Sequence, residues 1–335
     1  KRQSYSSPKQ VGGLTNWLSV SCSYTHAVSI KTDGTLWSWG YNDHGQLGLG
    51  NITSYSSPKQ VGALTSWSSV SCGVYCTVSI KTDGTLWSWG NNYYGQLGLN
   101  NTTYYSSPKQ VGALTNWSSV SCGEYHTVAI KTDGTLWSWG RNNNGQLGLG
   151  NITNYSSPKQ VGALTNWSSV SCGSFFTISI KTDGTLWSWG SSYAGQLGLN
   201  NTTNYSSPKQ VGALTTWSSV SCGSAFTVSI KTNGTLWSWG INNYGQLGLG
   251  NITNYSSPKQ VGALTNWSSV SGGAFHTVSI KTDGTLWSWG RNNYGQLGLG
   301  NVTYYSSPKQ VGSLTSWTKL SKVCVSSSTL AIKSS

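Results

Sequence analysis

Cysteine is the residue type of this chain that most directly suggests metal chemistry, and it recurs at a fixed position. The 335 residues include seven cysteines. Five of them share one place in a 50-residue repeat: Cys22, Cys72, Cys122, Cys172 and Cys222. A metal site needs several ligands close together, but no histidine or aspartate accompanies this series, and Gly272 takes the sixth place. We interpret the cysteines as small buried apolar residues and expect no metal site.

Acidic side chains, which could serve acid–base catalysis, are few. Five of the seven belong to a repeated Asp-Gly pair: Asp33, Asp83, Asp133, Asp183 and Asp283. The fifth unit has Asn233-Gly234 there, which indicates a role in turn geometry rather than catalysis. Asp43 and Glu124 are isolated in the sequence. An enzyme needs a convergent acid, base or nucleophile, so we expect no catalytic residue, no cofactor and no enzyme activity.

The histidines follow the repeat as well. His26, His126 and His276 occupy one position, where other units carry cysteine or phenylalanine. Exchange with phenylalanine is typical of a packed ring, so we expect these histidines to be structural.

The elements that position these residues form a strict repeat. The segment Ser-Ser-Pro-Lys-Gln-Val-Gly begins at residues 6, 56, 106, 156, 206, 256 and 306. In the second unit, residues 68–72, 77–81, 86–90 and 108–111 each have the pattern of a short strand, and Asp-Gly joins the second to the third. Four antiparallel strands per unit, repeated about seven times, predict an all-β propeller. We expect Trp87 and Trp89 to pack between blades.

Two runs resemble the regulator of chromosome condensation repeat family: residues 126–140 and Gly145-Gln-Leu-Gly148. The resemblance implies a seven-bladed propeller, here one domain over residues 1–335 that belongs to a longer protein. We expect the last blade to be closed by both ends, with inner strands from residues 317–333 and an outer strand from Pro8–Val11. Its third strand either lies upstream of Lys1 or is missing. A six-bladed ring is the alternative.

Variation between units gathers in two connections, which strand alternation places on one face of the ring. These are the first–second and the third–fourth strand connections. Their tyrosine-rich and asparagine-rich composition is typical of recognition loops, whereas the opposing interpretation is loop drift without function. Our candidate partner-binding residues are Tyr24, His26, Tyr41, His44, Tyr75, Tyr93, Tyr94, Tyr125, Arg141, Tyr193, Tyr244, Arg291 and Tyr294.

The function we predict is a non-enzymatic recognition or structural module that binds a protein or a glycan through this face. We expect it on a virion appendage, a cell surface or a secreted protein, attached to a larger assembly or chain. The family resemblance implies an alternative, a regulatory propeller that acts on a small GTPase or on chromatin. That activity is associated with an inserted wedge and a basic tail, and the uniform 50-residue spacing leaves no room for the wedge.

The formal charge of +13 comes mostly from two lysine series, one lysine of each per unit. Charge of this sign can attract nucleic acid or anionic surfaces. Because the lysines are distributed rather than clustered, we interpret them as solvated residues and expect no specific nucleic-acid binding. The sequence has no apolar run of the length that a membrane span needs.

Overall fold

A computed structural model describes residues 4–13, 15–323, 326 and 328–334. Within these residues the regular elements are all β-strands. Six antiparallel sheets of four consecutive strands follow one another along the chain, which is the architecture of a β-propeller. The strands of the six blades are, in order, β1 (Trp17–Cys22), β2 (His26–Lys31), β3 (Leu36–Gly40), β4 (Tyr55–Gln60); β5 (Trp67–Cys72), β6 (Cys76–Lys81), β7 (Leu86–Gly90), β8 (Tyr105–Gln110); β9 (Trp117–Cys122), β10 (His126–Lys131), β11 (Leu136–Gly140), β12 (Tyr155–Gln160); β13 (Trp167–Cys172), β14 (Phe176–Lys181), β15 (Leu186–Gly190), β16 (Tyr205–Gln210); β17 (Trp217–Cys222), β18 (Phe226–Lys231), β19 (Leu236–Gly240), β20 (Tyr255–Gln260); β21 (Trp267–Gly272), β22 (His276–Lys281), β23 (Leu286–Gly290) and β24 (Tyr305–Gln310).

The prediction of seven blades is wrong, because the structure has six blades followed by a partial sheet. The last three strands are β25 (Trp317–Leu320), β26 (Lys322–Val323) and β27 (Ala331–Lys333). β25 and β27 form a sheet of only two strands, and β26 pairs in parallel with β1. The physical reason is that the chain has only six copies of the Leu-Trp-Ser-Trp-Gly strand, so the last sheet lacks a third strand.

The predicted outer strand at Pro8–Val11 is also absent, since residues 8–11 have no strand structure. The N-terminal segment nevertheless lies where an outer strand would contact the preceding blade. Gly300 N donates to the Ser6 carbonyl (2.6 Å), as Gly250 N donates to the Ser306 carbonyl (2.8 Å). Placement without pairing is expected when no third strand is present to receive the ladder hydrogen bonds.

The Asp-Gly pair forms the hairpin turn between the second and third strands of a blade, as predicted. In the first blade Asp33 Oδ1 accepts hydrogen bonds from the Thr35 amide (2.9 Å) and hydroxyl (2.6 Å). Gly34 has a φ of 76°, and a Cβ there would collide with the Thr65 carbonyl oxygen, so only glycine fits. Asn233 makes the same two contacts with Thr235. The aspartates therefore serve the turn.

The hydrophobic core lies between adjacent blades. Val28 and Leu36 of the first blade form one buried cluster with Trp67 and Trp89 of the second. The Trp89 indole also donates to the Gln46 carbonyl of the first blade (3.0 Å). Trp89 therefore packs between blades as expected, and each blade buries its apolar face only against a neighbour.

The inner strands are joined around the ring by serine hydroxyls. The Ser21 hydroxyl accepts a hydrogen bond from the Cys72 amide (3.0 Å), and the Ser71 hydroxyl accepts one from the Cys122 amide (2.9 Å). The same contact recurs in the following blades. The five cysteines of the predicted series are buried and form no disulfide, which agrees with their predicted packing role.

Candidate partner-binding face

The first–second and third–fourth strand connections lie together at one face of the ring. In the first blade these are residues 23–25 and 41–54, and the Tyr41 amide donates to the Thr25 carbonyl (2.9 Å). The other two connections meet at the opposite face, where the Thr32 amide donates to the Asn16 carbonyl (3.0 Å). We call the surface of residues 23–25, 41–54 and their equivalents in the six blades the variable face.

Part of each long loop is a rigid scaffold that does not vary freely. Asn42 donates to the Asn51 carbonyl (3.0 Å), and its Oδ1 accepts from the Leu47 amide (2.9 Å). Gln46 Oε1 accepts from the His44 amide (3.0 Å). Asn42 and Gln46 are fully or almost fully buried. The loop shape is therefore held mainly by these two amides. In the fourth blade Ser192 replaces the asparagine, and its hydroxyl donates to the Asn201 carbonyl (3.4 Å). The first, third and fourth loop positions differ more widely between units.

A first cluster of rings and one arginine spans the second, third and fourth blades. The rings of Tyr94 and Tyr125 are 5.3 Å apart between centroids. The Arg141 guanidinium lies 5.1 Å from the Tyr94 ring and 5.0 Å from the Phe175 ring. Cation–π contacts of this kind orient an arginine and its aromatic neighbours.

Burial shifts the pKa values of two ionisable groups beside Arg141. Burial raises the pKa of Glu124, and the positive charge of Arg141 opposes that shift. Burial and the adjacent Glu124 carboxylate raise the pKa of Tyr125 to about 12. Tyr125 therefore remains a neutral hydroxyl group, able to donate or accept hydrogen bonds, throughout the physiological pH range.

A second cluster of the same kind joins the fifth and sixth blades. The Tyr244 ring lies 5.4 Å from Phe275 and 5.7 Å from Tyr304. The Arg291 guanidinium is 5.1 Å from the Tyr244 ring and 5.6 Å from the Phe275 ring. Arg141 and Arg291 occupy the same repeat position, so the two clusters are related by the repeat.

The sector between the two clusters is built from small residues. Ala194 and Ala225, at positions where the clusters have rings, are both buried. Tyr193 stands out from this sector with 62% of its surface exposed. The variable face thus has two aromatic clusters, each of which contains one arginine. Between them lies a sector of small side chains from which one tyrosine protrudes.

The structure brings most of the predicted residues together at this face. Tyr93, Tyr193 and Tyr294 are strongly exposed, and Tyr24 is exposed to a smaller extent. Half-buried side chains make up the rest of the accessible set: Tyr41, His44, Tyr75, Tyr94, Tyr125, Arg141, Tyr244 and Arg291. His44 contacts the rings of Tyr75 (4.9 Å) and Tyr104 (5.7 Å), in a smaller cluster without arginine.

His26 lies beneath the surface instead, so we leave it out of the face. Its Nε2 is 2.8 Å from the hydroxyl of Thr77 in the next blade, and its Nδ1 is 3.0 Å from the Ser23 hydroxyl. Burial lowers the pKa of His26 and His126 to about 3 and that of His276 to about 4. All three are neutral packed rings that bridge blades, as their exchange with phenylalanine predicts.

Sequence reasoning missed the four rings that complete the clusters. Phe175 and Phe275 share the repeat position of Tyr75 and Tyr125, so comparing units position by position would have found them. Tyr104 and Tyr304 directly precede the outer strands, outside the loop segments in which variation was sought. Only the fold brings that position against the loop of the preceding blade.

The two lysine series have different surroundings. The series that includes Lys59 is exposed, as expected for a solvated residue. In the series that includes Lys131, all lysines but the half-buried Lys31 are buried. The Lys131 ammonium lies 3.8 Å from the Trp137 ring centroid. The variable face carries only Arg141, Arg291, Asp43 and Glu124, so its formal charges balance. The positive charge of the protein therefore lies away from this face.

The described part of the chain contains no group of three or more histidine, cysteine or acidic side chains that could hold a metal ion. The same part contains no helix long and apolar enough to cross a membrane.

Solved structures with the same fold are numerous. Human WBSCR16 is 23% identical and superposes with a TM-score of 0.86, over 98% of this chain and 89% of that protein. Yeast RCC1 (Prp20), solved with Kap60 bound, is 18% identical with a TM-score of 0.82, over 95% of this chain and 81% of that protein. A structure of Prp20p from Saccharomyces cerevisiae gives a TM-score of 0.81 at 18% identity, over 95% and 83% of the two chains. At these identities the comparisons show the fold alone.

Sequence comparison assigns the family. No curated protein sequence matches the chain. The family model of the RCC1-like domain matches residues 1–228, and that of the regulator of chromosome condensation (RCC1) repeat matches residues 233–280 and 283–332. A second model of the repeat matches residues 217–246 and 267–296. Together these matches cover nearly the whole chain, which therefore belongs to the RCC1 repeat family.

Proposed function

We propose that this propeller is a non-enzymatic recognition module that binds a partner protein through its variable face. The observation that carries the proposal is the pair of aromatic clusters, each held by an arginine, on a face that differs from blade to blade. Tyrosine and arginine are the residues that most often anchor protein interfaces, because they offer large contact area with few rotatable bonds.

The arginines are not needed for folding, which favours a role in binding. Their repeat position holds tyrosine, asparagine, serine or isoleucine in the other four blades. The Nε atoms of Arg141 and Arg291 are buried without a hydrogen-bond partner among the described residues. Burying a polar nitrogen without a hydrogen-bond partner lowers stability. The other four blades form the same loop without an arginine.

The fold family supports a protein as the partner. A structural neighbour, yeast Prp20, has been solved with Kap60, and a study of the same protein concerns its binding to Gsp1p and histones. These partners belong to Prp20. For this chain, a glycan partner, the absence of enzyme activity, and a place on a virion appendage, cell surface or secreted protein stay predictions of the sequence.

A pull-down with paired variants tests the proposal. One bait carries Arg141→Gln and Arg291→Gln, and the control bait carries Lys159→Gln and Lys259→Gln. Both changes remove two positive charges, but the lysines are exposed on outer strands, away from the variable face. We expect the wild-type and control baits to retain the same protein from an extract of the source organism, and the arginine variant to retain at least tenfold less.

Salt dependence provides a second readout of the same interaction. Because the charges of the variable face balance, we expect retention to change little between about 50 and 300 mM salt. Equal retention by all three baits would contradict the proposal. A loss shared by the arginine and lysine variants would instead indicate binding through net positive charge.

A further inference from the structure

The face opposite the variable face carries a groove between the fourth and fifth blades. It lies between the Asp-Gly turn of the fourth blade and the start of β17 in the fifth, and its volume is about 520 Å³. Small-molecule sites commonly have volumes of about 300 to 1,000 Å³. The buried residues Ile180 and Trp217 line the groove together with Lys181, Asp183 and several serines and threonines. The groove is therefore large enough for a small ligand, and its lining is both polar and apolar.

The Trp217 indole N–H in this groove has no hydrogen-bond acceptor among the described residues, although only 3% of the residue is exposed. The other two tryptophans of the same blade do have acceptors. The Trp237 indole donates to the Thr235 hydroxyl (2.9 Å), and the Trp239 indole donates to the Gln196 carbonyl (3.0 Å). A buried donor without an acceptor lowers stability, so such donors are normally paired with protein, water or ligand. The Trp217 N–H is therefore available to an oxygen atom from outside the described chain.

Two charged side chains of the groove also have unused hydrogen-bonding capacity. The Lys181 ammonium lies 3.8 Å from the Trp187 ring centroid and 4.9 Å from that of Trp167, and no described residue accepts a hydrogen bond from it. Asp183 Oδ1 accepts from the Thr185 amide (2.9 Å) and hydroxyl (2.6 Å), whereas Oδ2 makes no hydrogen bond with a described residue. The groove therefore offers one positive donor and one negative acceptor, and its formal charges balance.

The same arrangement of residues recurs at all five boundaries between complete blades. At each boundary the tryptophan amide donates to the glycine carbonyl of the preceding turn, as Trp217 does to Gly184 (3.1 Å). The tryptophans of these boundaries, whose indole N–H lacks an acceptor among the described residues, are Trp67, Trp117, Trp167, Trp217 and Trp267. The lysine and a threonine before the tryptophan recur at every boundary, and only the aspartate is replaced once, by Asn233. The opposite face therefore carries five sites of nearly identical composition.

We infer that these grooves bind carbohydrate, and that each of them holds one neutral pyranose unit of a glycan. Hydroxyl groups both donate and accept hydrogen bonds, so a sugar can donate to Asp183 Oδ2 and accept from the Lys181 ammonium and the Trp217 indole. The balanced charge of the groove favours a neutral ligand, and Ile180 offers an apolar contact for the C–H groups of the ring. Five sites on one face would strengthen binding to a glycan of repeated units. The grooves share no residue with the variable face, so this binding is independent of recognition there.

Sugar-coated beads test carbohydrate binding by the full chain. Four sets of polyacrylamide beads carry glucose, galactose, mannose or N-acetylglucosamine, and uncoated beads are the control. We expect at least one set to retain at least tenfold more of the chain than the uncoated beads, and the same sugar in free form to release it. Retention no greater than that of the uncoated beads on all four sets would overturn the inference.

A matched pair of variants tests whether the sugar binds in the grooves. The groove variant fills them with five arginines: Thr65→Arg, Thr115→Arg, Thr165→Arg, Thr215→Arg and Thr265→Arg. The control variant carries the same change at five threonines of the variable face: Thr53, Thr103, Thr153, Thr203 and Thr253. All ten threonines are exposed, and both variants gain the same charge. We expect both to fold, by circular dichroism, and only the groove variant to lose at least tenfold in retention. Equal retention of the two variants would overturn the inference.

The indole signals of the wild-type chain report the contact directly. In a proton–nitrogen correlation spectrum, we expect the free sugar that releases the chain to shift the Trp217 indole signal. The variant Trp217→Phe identifies that signal, because it removes the N–H and keeps an aromatic ring. The signals of Trp237 and Trp239 should move less, since their N–H groups already have acceptors. A Trp217 signal that does not move at saturating sugar would show that water alone occupies this position, and would overturn the inference.

Discussion

At the residue scale, the three buried histidines occupy a repeat position that also accepts phenylalanine, so the same position can hold a polar or an apolar ring. Thr77 donates its hydroxyl proton to the Gln46 carbonyl (2.9 Å), so its oxygen accepts a hydrogen bond from His26 Nε2. The Ser23 hydroxyl then donates to His26 Nδ1. This arrangement requires the neutral histidine ring with its proton on Nε2. Phe176 and Phe226 fill the same position without making these hydrogen bonds.

The neutral histidines predict a loss of stability in mild acid. Burial lowers their pKa from the ordinary 6.5 to about 3 or 4, so below about pH 6 the unfolded chain binds protons that the folded chain does not. The free energy of unfolding should therefore fall by about 1.4 kcal/mol per pH unit for each histidine. Urea unfolding between pH 7 and 4.5 measures this slope, above the range where the hairpin aspartates titrate.

The chain itself offers the control for this prediction. A variant with His26→Phe, His126→Phe and His276→Phe carries at all three sites the residue found at Phe176 and Phe226. We expect its stability not to fall over the same range, because the raised pKa of Glu124 acts in the opposite direction, adding stability as the pH falls. A slope as steep as that of the wild-type chain would show that other groups cause the acid sensitivity.

At the element scale, the third strand of each blade combines an interior and an outer tryptophan. In the third blade Trp139 is fully buried between blades, whereas Trp137 is half-buried. The Trp137 indole donates to the Thr135 hydroxyl (2.9 Å), and the Lys131 ammonium lies over its ring. The two rings of one strand therefore stabilise the fold through different contacts.

Substitution of the two tryptophans should separate these contributions. We expect Trp139→Ala to lower the free energy of unfolding by about 3–5 kcal/mol, because it leaves a cavity between two blades. Trp137→Ala should lower the free energy of unfolding by clearly less, because solvent can fill the space that the half-buried ring leaves. Denaturant unfolding of both variants measures the difference. A larger loss for Trp137→Ala would contradict the assignment of the core to the inter-blade space.

The strands show which parts of the fold the sequence predicts. The third strand, residues 86–90, has the predicted bounds, because its Asp-Gly turn and its glycine end are local signals. The outer strand begins at Tyr105 rather than Pro108, because pairing with the third strand extends it. The segment at residues 5–10 has the same sequence and forms no strand, so its state depends on a distant partner that local patterns do not contain.

At the scale of the whole molecule, a uniform scaffold carries a face of varied composition. The number of blades could not be derived from the repeat, because seven copies of one strand accompany six of another and only assembly shows which copies form a complete sheet. The tyrosines and arginines of the face could be predicted from differences between units. Their grouping into two clusters depends on contacts between neighbouring blades.

The measurement that most directly tests the central claim exchanges the variable face while keeping the scaffold. A variant carries the fourth-blade residues Ser191, Tyr193 and Ala194 at the equivalent positions of all blades. Each loop keeps its own buried second residue, an asparagine or Ser192, and its glutamine. We predict that it folds, by circular dichroism and thermal unfolding, and no longer retains the protein that the wild-type ring retains in a pull-down. A folded variant that retains the same protein as fully as the wild type would contradict recognition through this face.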